Sequence, residues 1–161
     1  MADPIPNPLS NAPALVAMAQ VRCEVGALVS LGRGRYGERR YVPLLGGTVR
    51  GPELNGTVGE GGVDWQIQRD DGTLEIAAHY IVRSDDGALI EVRSDGLRHG
   101  PADVMARLAR GEAVARDAYF FRTLMRFETG DPRWLHLNKV MAIACGMREA
   151  HAVTLDVYRI T

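Results

Sequence analysis

Residues 69–93 read RDDGTLEIAAHYIVRSDDGALIEVR, and this stretch decides the fold class. Arg69-Asp70-Asp71-Gly72 and Ser84-Asp85-Asp86-Gly87 are hairpin turns, because Asp-Gly tolerates the left-handed backbone that a tight reversal requires. Between them, Leu74, Ile76, Ala78, Tyr80 and Val82 share one face, while Glu75, Ala77, His79 and Ile81 share the other. A period of two residues is that of a strand with one buried face. Ala88 to Arg93 resumes the alternation as the next strand.

The pattern extends in both directions. Downstream, Pro101 to Gly111 predicts a helix, with proline at its first position, Val104, Met105 and Leu108 on one side and glycine at the stop. Tyr119 to Glu128 reads as a long strand, its Tyr119, Phe121, Thr123, Met125 and Phe127 on one face and Arg122, Leu124, Arg126 and Glu128 on the other. Gly130-Asp131-Pro132 turns the chain into Trp134–Asn138. A strand then runs to about Gly146, and a last one from His151 to Ile160. Upstream, Arg39 to Leu45 is a strand in which Pro43 marks an edge or a bulge. Gly32, Gly34 and Gly37 form a basic turn, and Ala19 to Val29 alternates as the first strand. Eight or nine strands with short turns and one short helix predict an all-β fold, a closed antiparallel up-and-down barrel, with a β-sandwich as the alternative. A barrel of that size encloses side chains or one small ligand.

Residues 1–13 hold four prolines and no periodicity and read as an extended arm; residues 14–161 read as a single barrel domain. With 19 basic and 20 acidic residues the charges nearly cancel, which gives no electrostatic basis for binding nucleic acid or an anionic membrane. No apolar run approaches the ~18–20 residues of a membrane helix, and the N-terminus lacks a signal-peptide pattern. Cys23 and Cys145 suit reduced thiols, so a cytoplasmic location is expected.

Between the first strands and the hairpins lies GGTVRGPELNGTVGEGGVDW, residues 46–65, in which seven of the first seventeen residues are glycine. It matches neither a phosphate loop nor a dinucleotide-binding turn. It reads as a bent strand and tight loop that carry Asp64 and Trp65 to a cavity, Asp64 as base or anchor and Trp65 as a stacking wall. Glu75 and His79 lie two pleats apart on one strand face. Arg122, a charge among aromatics, needs a counter-ion or ligand, and Asn138 can donate to a developing oxyanion. Tyr80, Tyr119, Phe127, Glu128 and Trp134 complete the expected lining. For most of these a structural role is as good a reading: a turn aspartate, a solvated strand face, a cap at Asn138, a core tyrosine at position 80. The four histidines show no zinc spacing, so no metal and no cofactor is expected.

Taken together, Gly46-Gly47, Gly51-Pro52, Gly56 and Gly61-Gly62-Val63-Asp64-Trp65 resemble a bacterial and fungal family, domain-of-unknown-function family 3237, also called uncharacterised protein family 0311. Tyr80, Asp86-Gly87-Ala88, Gly96, Arg98-His99-Gly100, Tyr119–Thr123, Phe127-Glu128-Thr129, Leu135 and Asn138 extend the resemblance over most of residues 20–160. It implies an antiparallel barrel subunit, oligomeric, with no established family-wide activity. The chain departs from the family pattern at Ala77 and His79, where that pattern has an acid and an arginine.

The residues predict a cofactor-independent enzyme that moves a proton next to a carbonyl, by isomerisation, cyclisation or elimination, on a small oxygenated, partly apolar molecule. Asp64 or Glu75 would be the base, His79 an alternative base or acid, and Arg122 and Asn138 the holders of negative charge. The alternatives are a non-catalytic small-molecule carrier and a structural oligomerisation module. A homodimer or higher homo-oligomer is expected, since the proline-rich arm has no pattern with which to fold alone.

Overall fold

Gly72 and Gly87 adopt φ of +85° and +91°, and each closes a hairpin where the Asp-Gly pairs predict one. The computed structural model describes residues 11–161, so the arm expected over residues 1–13 lies outside the described residues for all but its last three positions. Ten strands follow in order: β1 (Leu15–Val25), β2 (Val29–Gly34), β3 (Gly37–Arg50), β4 (Gly56–Val58), β5 (Gly62–Gln68), β6 (Leu74–Ser84), β7 (Leu89–His99), β8 (Phe120–Glu128), β9 (Met141–Arg148) and β10 (Ala152–Ile160). The helix α1 (Ala102–Ala109) connects β7 to β8, with Pro101 as its N-cap residue and Gly111 just beyond its end.

All neighbouring strands pair antiparallel, and the sheet closes because β1 pairs with both β10 and β3. Around the ring the order is β1, β10, β9, β8, β7, β6, then β5 and β4 together, then β3. β4 and β5 occupy one stave between β3 and β6, interrupted at residues 59–61, so the barrel has eight staves. β2 lies outside the ring against the first half of β3, whose second half pairs with β1. The expected closed antiparallel barrel is therefore the observed fold.

Two boundaries move. The first strand was expected over Ala19–Val29. It starts at Leu15 instead and leaves the ring after Val25, where the Gly26 N–H turns to donate to the Pro43 carbonyl at 2.8 Å. The second strand, expected over Arg39–Leu45, runs on to Arg50 through Gly46 and Gly47. Glycine permits this for a specific reason. A Cβ on Gly47 would stand 1.9 Å from the Arg22 carbonyl oxygen, and one on Gly56 would stand 2.1 Å from that of Arg83. The glycine-dense stretch lets neighbouring staves coil tightly enough to close the ring.

The inward faces make a core of two unlike halves. Toward one end, Met18, Leu54, Val82, Val92, Met125 and Phe127 fill the lumen around a void of about 10 Å³. A 3₁₀ turn (Leu135–Lys139) lies at this end with Leu137 buried and Trp134 packed on the core. Toward the α1 end the lumen is hollow and partly polar. Among the described residues, no helix is long and apolar enough to cross a membrane.

Candidate functional site

Alternation along β5 turns Gly62, Asp64 and Gln66 inward and Val63, Trp65 and Ile67 outward. Asp64 thus enters the hollow half of the barrel, level with Val42 on β3 and Ala78 on β6. The cavity there measures about 60 Å³. Its wall is largely apolar, with Leu44, Ile76, Phe121 and Leu155 among its residues, and it carries three charged side chains, Asp64, Arg98 and Arg148.

Asp64 as a residue is half-buried, but its Oδ1 is fully enclosed and accepts no well-formed hydrogen bond, the Ala77 backbone N–H approaching the carboxyl only weakly. Its Oδ2 accepts from Gln66 Nε2 at 2.7 Å, and Gln66 Oε1 in turn accepts from Arg40 Nε at 3.1 Å. Burial pushes the Asp64 carboxyl up to about 6, against the downward pull of the Gln66 hydrogen bond and the Arg98 charge. A carboxyl that titrates near 6 can both take and return a proton close to neutral pH. Arg98 reaches the same cavity from β7. It is 8 % exposed, its Nε is enclosed without a partner, and its guanidinium lies over the Phe121 ring, 5.5 Å from the centroid. Burial draws this arginine down to about 10, and the positive charge of Arg148 adds to the effect. Tyr80 is also buried with a partnerless hydroxyl, and burial pushes that phenol above its ordinary value. By contrast, Ser94 donates to Thr123 at 2.8 Å, so these two satisfy each other.

The site expected from the sequence is only partly assembled. Asp64 and Tyr80 line the cavity. Tyr119 is buried beside it, and its hydroxyl accepts from the Arg148 N–H at 2.9 Å. Phe127 is buried in the filled half instead. The candidates on β5, β6 and the middle of β8 fall outside the cavity by the same alternation that places Asp64 inside. Trp65, the neighbour of Asp64, must face outward; it is 36 % exposed, 5.1 Å from the Tyr41 ring and under the guanidinium of Arg39. Glu75 and His79 share the outer face of β6 and do not meet there. Glu75 pairs with Arg69 at 2.6 Å, and His79 with Glu91 at 2.8 Å. The departures from the family pattern at Ala77 and His79 therefore fall outside the barrel, not in its cavity.

Arg122 also lies outside, over the Phe120 ring, with Nη1 donating to the Phe121 carbonyl at 2.9 Å. Asp64 and Arg122 stand on opposite sides of the barrel wall and cannot share a ligand in the lumen. Glu128 is exposed on the outer face of β8, in a groove with Glu91 and Arg93. Asn138 sits at the far end, where its side chain bridges the backbone of Thr129, accepting from its N–H at 2.8 Å and donating to its carbonyl at 2.9 Å. Trp134 is near it, with Nε1 donating to Asp86 at 3.1 Å. Both residues tie the loop after β8 and are remote from the cavity.

Arg98, Arg148, Gln66 and Arg40 are absent from the expected set. One signal for Arg98 was available: Ile90, Val92, Ser94, Gly96 and Arg98 continue one face of β7, and that face is the buried one. The same signal holds for Gln66, two residues after Asp64 on β5, and for Arg148, which continues the buried face of Ala142, Ala144 and Gly146 on β9.

Comparison with known proteins places this barrel. The family model described as "Protein of unknown function (DUF3237)" matches residues 13–160. A UPF0311 protein of Rhodopseudomonas palustris is 36 % identical over 140 residues, which cover 87 % of this chain and 92 % of that protein. The crystal structure of this R. palustris protein, of unknown function, superposes with a TM-score of 0.90, at 34 % identity over 93 % of this chain and 99 % of that one. A beta-barrel like protein of Acinetobacter baumannii matches with a TM-score of 0.80 at 34 % identity, covering both chains in full. An enzyme of Penicillium herquei shares the fold at 21 % identity, with a TM-score of 0.70, over 100 % of this chain and 99 % of that one. An eight-stave ring closed by glycine-permitted contacts, matched along nearly its whole length by these relatives, makes this chain a member of the DUF3237 family, whose curated members are named UPF0311 proteins.

Proposed function

We propose that the chain is a cofactor-independent enzyme that transfers a proton on a small oxygenated, partly apolar molecule held in the hollow half of the barrel. One observation carries the reading: a buried carboxyl titrating near 6, with an enclosed partnerless oxygen, lines the same cavity as a buried arginine without a counter-ion. Removing a proton next to a carbonyl needs those two elements, a base of near-neutral pKa and a fixed positive charge where negative charge develops. Asp64 takes the first role and Arg98 the second. Gln66 holds the Asp64 carboxylate in position through its 2.7 Å hydrogen bond, and the apolar wall accepts the carbon skeleton. The shared fold of the P. herquei enzyme is compatible with catalysis on this scaffold and names no reaction.

The test is hydrogen–deuterium exchange in D₂O, followed by proton NMR, over a panel of small ketones, keto acids and enols. Wild type should catalyse exchange next to the carbonyl of at least one compound. Asp64→Asn should slow it ~10²–10⁴-fold, the usual contribution of a positioned acid or base. Unchanged exchange in Asp64→Asn would remove Asp64 from the mechanism. The reading includes the homodimer expected from the sequence; light scattering that returns the mass of one chain at micromolar concentration refutes that part.

A further inference from the structure

We propose that the ligand of this cavity is a small organic monoanion, a carboxylate or comparably delocalised oxyanion, whose charged head is held by Arg98 and whose body rests on the apolar wall. The inference rests on the reading above only in taking the cavity as the place where a small molecule binds. It adds the charge and the orientation of that molecule.

The argument begins with the polar groups of the lining, most of which are engaged. Ser94 and Thr123 bond each other at 2.8 Å, and Gln66 links Asp64 to Arg40. Arg148 donates through Nη1 to the carbonyls of Glu149 and Ala152, which fixes its guanidinium without neutralising it. Three enclosed atoms have no partner: Arg98 Nε, Tyr80 Oη and Asp64 Oδ1. Among the described residues, no carboxylate lies within ion-pairing distance of Arg98. A guanidinium that is more than nine-tenths buried with no carboxylate in contact is costly, because the Asp64 charge across the cavity offsets only a part of its desolvation. The Phe121 face, 5.5 Å away, offsets only a part of that cost.

Charge points the same way. Two arginines face one aspartate on the lining, so the cavity is positive when Asp64 is ionised and more so when it is protonated. An anion brings the missing counter-charge, and its oxygens match the planar donor geometry of a guanidinium. The Tyr80 hydroxyl adds a second donor without charge. A ligand held this way would present its α-carbon side to Asp64, the remaining partnerless group. Size limits the head to about five water-sized groups at ~12 Å³ each in a 60 Å³ space.

The groups that face Asp64 also set a pH signature. They are Arg40 on β3, Tyr80 on β6, Arg98 on β7, Arg148 on β9 and Cys23 on β1. Of the seven, counting Gln66 on its own strand, Asp64 is the one whose charge changes between pH 5.5 and 7.5. Anion affinity should therefore rise as the pH falls through that interval.

The experiment is calorimetric titration of the wild-type protein with propionate and isobutyrate, each against its neutral amide, at pH 5.5, 6.5 and 7.5. At least one acid should bind, its amide at least tenfold more weakly, and acid affinity should rise severalfold from pH 7.5 to 5.5. Arg98→Met should lower acid affinity at least tenfold and leave the amide unaffected, with Arg98→Lys between them. Equal binding of acid and amide, no binding of either acid up to 20 mM, or undiminished acid binding in Arg98→Met would each overturn the proposal. A flat pH profile would do so as well, because it places the anion away from Asp64. If Arg98→Met does not fold, the acid–amide comparison and pH profile of wild type still decide. Acid binding without hydrogen exchange rejects the proton-transfer reading and leaves the anion site standing, and exchange without preference for the acid does the reverse.

Discussion

Replacing Asp64 by asparagine should make the protein more stable at neutral pH, and the magnitude follows from the burial of its carboxyl. In the folded state the group titrates at about 6, against an ordinary value of 3.8. The folded protein therefore binds this proton more tightly than the unfolded chain does. Stability contributed by the protonated carboxyl is present below pH ~4 and is lost as the pH rises toward 6. At ~1.4 kcal/mol per pH unit the loss amounts to ~3 kcal/mol above pH 7. Asparagine keeps an oxygen to accept from Gln66 and carries no charge to bury, so it escapes that loss. Other carboxylates, such as Glu91 and Asp131, titrate alike in both proteins and cancel from the difference. Urea unfolding of both proteins at pH 4.5 and 7.5 makes the measurement. Asp64→Asn should exceed wild type by ~2–3 kcal/mol at pH 7.5 and by ~1 kcal/mol or less at pH 4.5. An asparagine variant no more stable than wild type at pH 7.5 would refute the argument, and with it the assignment of Asp64 as a carboxyl held near neutrality. A gain in stability joined to a loss of activity is the pattern expected where a site is built at the expense of the fold.

Three further outcomes follow from the placement of individual residues. Gly47→Ala should unfold the barrel or cost more than ~3 kcal/mol, since its Cβ would meet the Arg22 carbonyl oxygen at 1.9 Å and both backbones are held in the ring; circular dichroism and a thermal melt read this directly. Glu75→Gln and His79→Ala should leave anion titrations unchanged and shift stability by less than ~1 kcal/mol, as outer-face ion pairs do; a tenfold loss of binding in either would contradict the inward and outward faces assigned to β6. Asn138→Ala should cost ~1–2 kcal/mol through its two bonds to the Thr129 backbone, with binding intact, and an Asn138→Ala protein as stable as wild type would show that this bridge contributes nothing.

The fold was legible in the sequence because its signals are local. Asp-Gly turns and a period of two residues operate within a few positions of one another, and they identify β6, β7 and β8 with no knowledge of the rest of the chain. The same alternation, applied without exception, already separates Asp64 from Trp65 and Ser94 from Arg93. Followed through β7, it also turns Arg98 inward. What alternation along single strands cannot supply is the relation between strands. Whether the face that holds Glu75 and His79 or the face that holds Tyr80 looks into the lumen is decided when β1 pairs with β3 and the ring closes. Only then does Arg122 fall outside while Arg148, the last residue of β9, comes to share a cavity with Asp64. The glycines of residues 46–62 show the division most clearly. Their density announced close approach, but the atoms approached, the carbonyls of Arg22 and Arg83, belong to strands about 25 residues away in either direction. The electrostatics are tertiary for the same reason: a carboxyl is raised, and an arginine left without a counter-ion, by the side chains that seven other staves bring around them.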